Sequence, residues 1–438
     1  MTQLKKSLGL TDGISLLIGI TIGSAIFATP QIIASYQNSF SSIIMLWAVV
    51  IFFVFIGSLI YAELGSRFPN TGGEYIYISK AFGPFWGFIF GWAQLLIIRT
   101  SPAAGISLIT ANYIGFFVDI NQFQKNLIAV LIIILFGVIN YLGVERASFY
   151  NKFSSLVKTL GIVIFVVFGL IFFGPDFSNL QPIIQPTQNL GPIGNFVAAS
   201  ILVLFSFLGW DRVGYVAGEM KDPKKTIPLT MFYGVSLISL IYLAANLLYH
   251  TVLGLEGVRG SIIVASDTAS ILFGNKGAIV ISLVVIISAT GSINGTIMSA
   301  SRLYFAMARD GLLFNWFKNI HPKYKTPNRS IIAHCIWGIA LLVIRQNFET
   351  IVSGMVFTIL IFYILTTLAF FKFRKTNQGK KGYRLPFYPI LPLIYLGGLV
   401  LLVVLRLFFQ FNLSVQDLSF VLTGVPIYFL FFKQKVNR

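Results

Sequence analysis

Apolar residues gather along the chain into twelve blocks, each of at least ~17 residues and so long enough to cross a bilayer as a helix. Their approximate limits are 11–34, 41–63, 84–117, 126–144, 148–174, 195–218, 227–252, 277–308, 329–346, 349–371, 387–408 and 416–432. Polar residues sit mainly in the short stretches between blocks, which leave no room for a soluble catalytic domain. The pattern predicts an all-α integral membrane protein of twelve transmembrane helices, one transmembrane domain over residues 1–438. Lys5 and Lys6 precede the first block as they would in a signal peptide. That block is too long for one, and eleven more follow, so it reads as the first membrane helix.

Two blocks break their own pattern. In the first, Thr21-Ile22-Gly23-Ser24-Ala25-Ile26-Phe27 puts small residues at mid-membrane depth. A Gly-Ser pair weakens a helix and frees backbone N–H groups that can hold an anion such as a carboxylate. Free backbone groups are tolerated at that depth only where they line a protein cavity. The same run also suits close helix packing, and block one alone does not decide between the two. The sixth block tips the balance: Leu204-Phe205-Ser206-Phe207-Leu208-Gly209-Trp210-Asp211-Arg212 again places glycine at mid-depth, now beside two ionisable residues. Blocks one and six are the first members of two candidate five-helix repeats, 11–174 and 195–371, followed by two further helices over 387–432. Interrupted segments at matching positions of two halves are the best sequence pointer to a midplane binding site for a small solute, with half-helix N–H groups for an anion and carbonyls for a cation. A zwitterionic amino acid supplies both charges.

Composition agrees: 56% hydrophobic and 11% charged residues, with mean hydropathy +0.83, exclude a soluble domain of this length. The formal net charge of +18 invites a nucleic-acid reading. Its placement removes that reading. With the termini taken as cytoplasmic, 23 basic residues fall on the inner side, only Lys125, Arg259, Lys276, Arg345 and Arg406 on the outer side, and four within blocks. The positive-inside rule accounts for that asymmetry and predicts a multi-pass plasma (inner) membrane protein with both termini cytoplasmic. Trp47, Trp86, Trp316 and Trp337 lie at block ends, as interfacial belts require. Cys335 is the single cysteine and sits in block nine, so neither an internal disulfide nor a disulfide-linked partner subunit is expected. His250, His321 and His334 are scattered, which argues against a metal site. No nucleotide-binding glycine pattern is present, no cofactor is expected, and no convergent cluster of His, Cys or carboxylates suggests an enzyme.

The chain resembles the amino acid–polyamine–organocation transporters, and within them the L-type, glycoprotein-associated exchanger-like branch. The resemblance rests on Gly23–Phe27 in span one, on Tyr61-Ala62-Glu63-Leu64, and on Pro69-Asn70-Thr71-Gly72-Gly73-Glu74-Tyr75 after span two. It continues through Leu95–Arg99, Gly209-Trp210, Glu219–Pro223, Gly291–Gly295 and Arg309-Asp310-Gly311. It implies a leucine-transporter-like fold, a 5+5 inverted repeat with helices 1 and 6 discontinuous, that moves amino acids by alternating access. By resemblance, the N–H groups of Ser24, Ala25 and Ile26 hold the substrate carboxylate, carbonyls near Thr21, Phe205 and Leu208 take its ammonium, and Phe205 is the outer gate. The sequence departs at Ala25 and at Leu208, where relatives usually or often carry glycine, which points to a tight pocket.

Lys158 stands six residues and about 9 Å of helix beyond Lys152. An ammonium at that depth costs at least ~2.5 kcal/mol unless it is paired or its stem reaches back to the headgroups. By resemblance it replaces the sodium ion of coupled relatives, bridging the break of span one to Ser288 and Ser292, and it doubles as a candidate proton-coupling group. Arg99 is equally deep and suits a structural partner as well as it suits substrate. Asp211 is a candidate pathway charge, or the partner of Arg212. The expectation is a sodium-independent transporter of neutral L-amino acids working as an exchanger, with proton symport and a non-transporting amino acid sensor as the alternatives.

Overall fold

The computed structural model describes residues 7–69, 72–174, 176–379 and 382–433. Lys5, Lys6, Asn70 and Thr71 lie outside the described residues. The described residues are helical apart from turns, loops and one isolated backbone bridge between Leu8 and Met220. Among the described residues, eleven helices are long and apolar enough to cross a membrane, and the short apolar helix Leu10–Thr21 begins a twelfth crossing. That first span has three parts, Leu10–Thr21, the 3-10 turn Ser24–Phe27 and Thr29–Tyr36. Spans two to five are Phe40–Arg67, Pro84–Ile114, Gln122–Leu142 and Val144–Phe172. Span six (Gly191–Glu219) changes at Leu208-Gly209 from α-helix to 3-10 helix. Spans seven to twelve are Pro223–Gly260, Val264–Arg309, Asn328–Arg345, Phe348–Lys375, Ile390–Phe409 and Phe411–Phe432.

Some boundaries move from the sequence reading. Positive φ at Gly254 and Gly274 kinks spans seven and eight, so the segment 255–273, expected to be a loop, forms two short helical arms. Arg259 on the first arm donates to the carbonyls of Ala34, Gln37, Ile184 and Gln185, clasping the end of span one. Gln94–Ile98 of span three is a π-turn ending at Arg99, a feature frequent at functional sites. Trp47 is fully buried among Phe207 and Tyr242 and is no belt residue, because span two crosses the centre of the bundle there. Arg345 and Arg406 are not loop residues either. Both guanidiniums are buried on Asp417 of span twelve, an acid that draws them off the interface.

The end of the bundle that carries the termini is tied shut. The N–H groups of Ser7 and Leu8 both donate to Glu219 O at 3.0 Å, and Lys221 N–H donates to Leu8 O at 3.0 Å. Glu63, fully buried on span two, accepts from Arg374 Nε at 2.8 Å and Nη2 at 2.5 Å, and from Leu385 N–H at 2.7 Å; Arg67 lies 2.9 Å away. Glu63→Ala would leave two guanidiniums facing a dry hole. Removing one member of a buried ion pair costs about 3–5 kcal/mol, so the variant should show a clear drop in Tm by thermal unfolding in detergent. An unchanged Tm would show that this network does not hold spans two and ten together.

Candidate functional site

The breaks in spans one and six face each other. Gly209 has φ +121, which favours glycine, and a methyl on it would come within 3.1 Å of Thr21 Oγ1 and 3.2 Å of its Cα. Tyr242 of span seven holds the pair in register: its hydroxyl lies 3.0 Å from both Thr21 O and Ser206 O. On the other side Thr29 Oγ1 donates to Ala25 O at 3.0 Å and lies 3.1 Å from Ser206 Oγ. A third strut, Tyr113 of span three, donates to Phe27 O at 3.1 Å. None of these partners was visible in the sequence.

The backbone left at the centre is polar and poorly satisfied. The 3-10 turn Ser24–Phe27 closes with Ala28 N–H donating to Ala25 O at 3.0 Å, and the N–H groups at its start, those of Ser24 and Ala25, have no helical acceptor. Among the described residues they donate to nothing outside that turn either. Thr21 Oγ1 and Ser24 Oγ are buried there without a hydrogen-bond partner. In span six the carbonyls of Phe207 and Leu208 accept no backbone bond from beyond the break, while Phe205 O takes Leu208 N–H at 3.1 Å. Ser24–Phe27 are all buried. Ala25 adopts no positive φ, so the alanine that departs from the related pattern sits there without backbone strain.

A polar cavity of about 350 Å³ opens toward the end opposite the termini, lined among others by Ala28, Gln31, Asn112, Lys125 and Glu349. It stops at Phe348, whose ring stands edge-on to Phe205 at 5.7 Å. None of Thr21, Ser24, Ala25, Ile26, Phe205 and Leu208 lines it, because the two rings separate the cleft from the breaks. Above them Tyr36 of span one donates to Glu349 of span ten at 2.5 Å.

Lys158 is buried in span five, 6% exposed, and makes no hydrogen bond or ion pair among the described residues. Its level follows from neighbouring contacts. A methyl on Gly291 would overlap Ser154, and one on Gly161 would overlap Val284. That antiparallel register sets Lys158 level with Ile287 and Ser288 of span eight. Ser288 Oγ is buried and unpaired. Ser292 Oγ, which donates to Ser288 O at 3.0 Å, is the nearest side-chain atom to the Cβ position of Gly23, at 3.7 Å.

The other two charges lie on the terminus-bearing side of the breaks. Arg99 Nε donates to Gln94 Oε1 at 3.0 Å across the π-turn and lies within electrostatic reach of Arg212 and Asp211. Asp211 is buried, 3.7 Å from Arg212 Nε, with Oδ1 unpartnered. Beneath them Glu74, on the loop helix Gly73–Phe82, accepts from Tyr61 at 2.8 Å and from Tyr215 at 3.2 Å. Burial, and then the charge of Asp211, pushes its carboxyl up to about 7.

Three relatives span nearly the whole of this chain. The "Serine/threonine exchanger SteT" of Bacillus subtilis (strain 168) is 29% identical over 99% of this chain and 98% of its own. The "b(0,+)-type amino acid transporter 1" of Mus musculus is 27% identical, covering 98% of this chain and 88% of its own. The "Large neutral amino acids transporter small subunit 2" of Homo sapiens is 28% identical, covering 98% and 80%. The resemblance read from the broken spans and the loop motifs thus extends over the full chain, and the leucine-transporter-like fold with it. The family described as "Amino acid permease" matches residues 8–432, and the chain belongs to that family of multi-pass membrane transporters.

Proposed function

We propose that the protein is a sodium-independent exchanger of neutral L-amino acids in the plasma (inner) membrane, with both termini cytoplasmic and two five-helix repeats over 11–174 and 195–371. The observation that carries this is the pair of facing breaks: N–H groups at Ser24 and Ala25 without a helical acceptor, opposite carbonyls of span six that accept no backbone bond from beyond its break, in a buried space. The first set attracts a carboxylate, and the second, with the backbone near Thr21, attracts an ammonium. Thr21, Ser24, Ala25, Ile26, Phe205 and Leu208 are all uncharged, so a substrate side chain meets no counter-ion. The alanine methyl at 25 and the leucine at 208 narrow the space and favour small side chains. Lys158, level with Ser288, supplies a fixed positive charge where coupled relatives bind sodium, which supports sodium independence. Exchange is the activity for which the bacterial relative is named, which favours it here.

Phe205, backed by Phe348, closes the site toward the open cleft. Uptake of a panel of labelled neutral, cationic and anionic amino acids into proteoliposomes should show small neutral substrates carried fastest. Phe205→Ala should lose most of that uptake and Phe205→Trp should keep part of it, since occlusion requires an aromatic lid. Equal rates for Phe205→Ala and the parent would place the gate elsewhere, and preference for charged substrates would overturn the neutral reading.

A further inference from the structure

Below the broken spans, a carboxyl is buried in the seam that closes the terminus-bearing end. The chain enters the loop helix Gly73–Phe82 through two left-handed glycines, Gly72 at φ +139 and Gly73 at φ +50. A methyl on Gly73 would lie 2.6 Å from Tyr215 Cε2, and one on Gly214 would lie 3.2 Å from Tyr77 Oη and 3.7 Å from Gly73 Cα. The loop helix is therefore pressed against Trp210–Glu219, the 3-10 arm of span six. Glu74 lies in this seam, 3% exposed, and accepts from Tyr61 of span two at 2.8 Å and from Tyr215 of the arm at 3.2 Å. The far end of the same arm carries the Glu219 carbonyl that holds Ser7 and Leu8. Glu74 thus sits where the loop helix, span two and the arm meet.

The charges that face Glu74 directly are on the arm: Asp211 repels the carboxylate and Arg212 attracts it. Arg212 Nε stands 3.7 Å from Asp211, and its guanidinium lies 5.2 Å from the centre of the Tyr215 ring. Arg99 of span three reaches Asp211 and Arg212 electrostatically. The other titratable neighbours are phenols, Tyr77 of the loop helix, Tyr363 of span ten and Tyr395 of span eleven. Arg212 and the two tyrosine donors offset burial and the repulsion of Asp211 only in part, which is why the carboxyl is pushed up to about 7.

We infer that Glu74 is a proton-binding latch: protonated, it lets the loop helix and the arm of span six stay packed, and ionised, it favours their separation. Opening hydrates the carboxyl and returns it to the ordinary glutamate value of ~4.3. The closed end therefore holds the proton more tightly than the open end. Closure is favoured at low pH, by up to about tenfold per pH unit, and that preference is lost as pH rises through about 7. The proton leaves to and returns from the same side, so it sets the rate of exchange without driving it. Only this effect on rate rests on the exchange proposed above.

Infrared difference spectroscopy of the full-length protein in lipid, recorded across pH without substrate, tests the proton site. A carboxylic acid C=O band should appear as pH falls through about 7, and Glu74→Gln should remove it. Tyr215→Phe takes one donor from the ionised form and should move the midpoint up by about one pH unit. Serine counterflow at equal pH on both faces then reads the latch. The parent's rate should climb by up to about tenfold per pH unit below about pH 7 and level off above it, while Glu74→Gln stays flat at the parent's acid rate. Should Glu74→Gln fail to fold, the shift in Tyr215→Phe carries both arms. A spectrum that Glu74→Gln leaves unchanged, or a midpoint that Tyr215→Phe does not move, would overturn the inference. So would a parent rate that is flat or falls as pH rises. The infrared arm needs no substrate, so it decides on the proton site even if serine is not carried.

Discussion

Lys158→Ala should reduce amino acid uptake into proteoliposomes by roughly 10–100-fold, the loss expected when a hydrogen bond to a charged group worth about 1.5–3 kcal/mol disappears. Replacing sodium by choline should leave the parent's rate unchanged. The physical case is that Lys158 is buried level with Ser288, whose hydroxyl is unpaired, while Ser292 lies against Gly23 in the break of span one. An ammonium spanning that gap would hold the unwound segment in its binding-competent form. Lys158→Arg keeps the charge on a larger, planar group and should rescue only part of the activity. A lysine whose charge mattered only at the surface would give a mild effect in both variants. A strict sodium requirement in the parent would end this reading.

Ala25→Val should bring uptake to background while the protein still inserts and unfolds at a similar temperature. Ala25 is 6% exposed, its N–H belongs to the unpaired set, and its carbonyl already holds Thr29. Two added methyl groups therefore have nowhere to go except the space facing the break of span six. Overpacking of this kind costs about 1–3 kcal/mol of stability at most sites, too little to unfold a twelve-span bundle but enough to occupy a substrate's place. Ala25→Gly should be tolerated and should admit larger side chains. Normal transport by the valine variant would remove span one from the site.

The sequence disclosed what is written locally. Gly23-Ser24 and Leu208-Gly209 are breaks because glycine weakens a helix wherever it sits, and both appear in the structure where the pattern put them. Lys158 is conspicuous as a lone cation far from the interface. The struts that set the geometry were not legible, since Tyr242 and Phe348 differ in no local way from the other aromatics of the chain. They acquire a role only when span seven lies against both breaks and span ten folds over Phe205. Arg345 and Arg406 misled for the same reason. At the ends of apolar runs they read as interfacial charges, and only the packing of span twelve brings Asp417 to them. Trp47 looked interfacial by position, yet its ring is needed at the centre, between Phe207 and Tyr242.

The central claim is that the facing breaks bind a neutral amino acid and exchange it across the membrane. Counterflow tests it most directly: proteoliposomes in choline medium without a proton gradient, either empty or preloaded with unlabelled serine, are given labelled serine outside. Rapid uptake into preloaded vesicles and little into empty ones, with no uptake by Ala25→Val, is the predicted result. Equal uptake into empty and preloaded vesicles, or uptake that requires a proton gradient, would contradict exchange at this site.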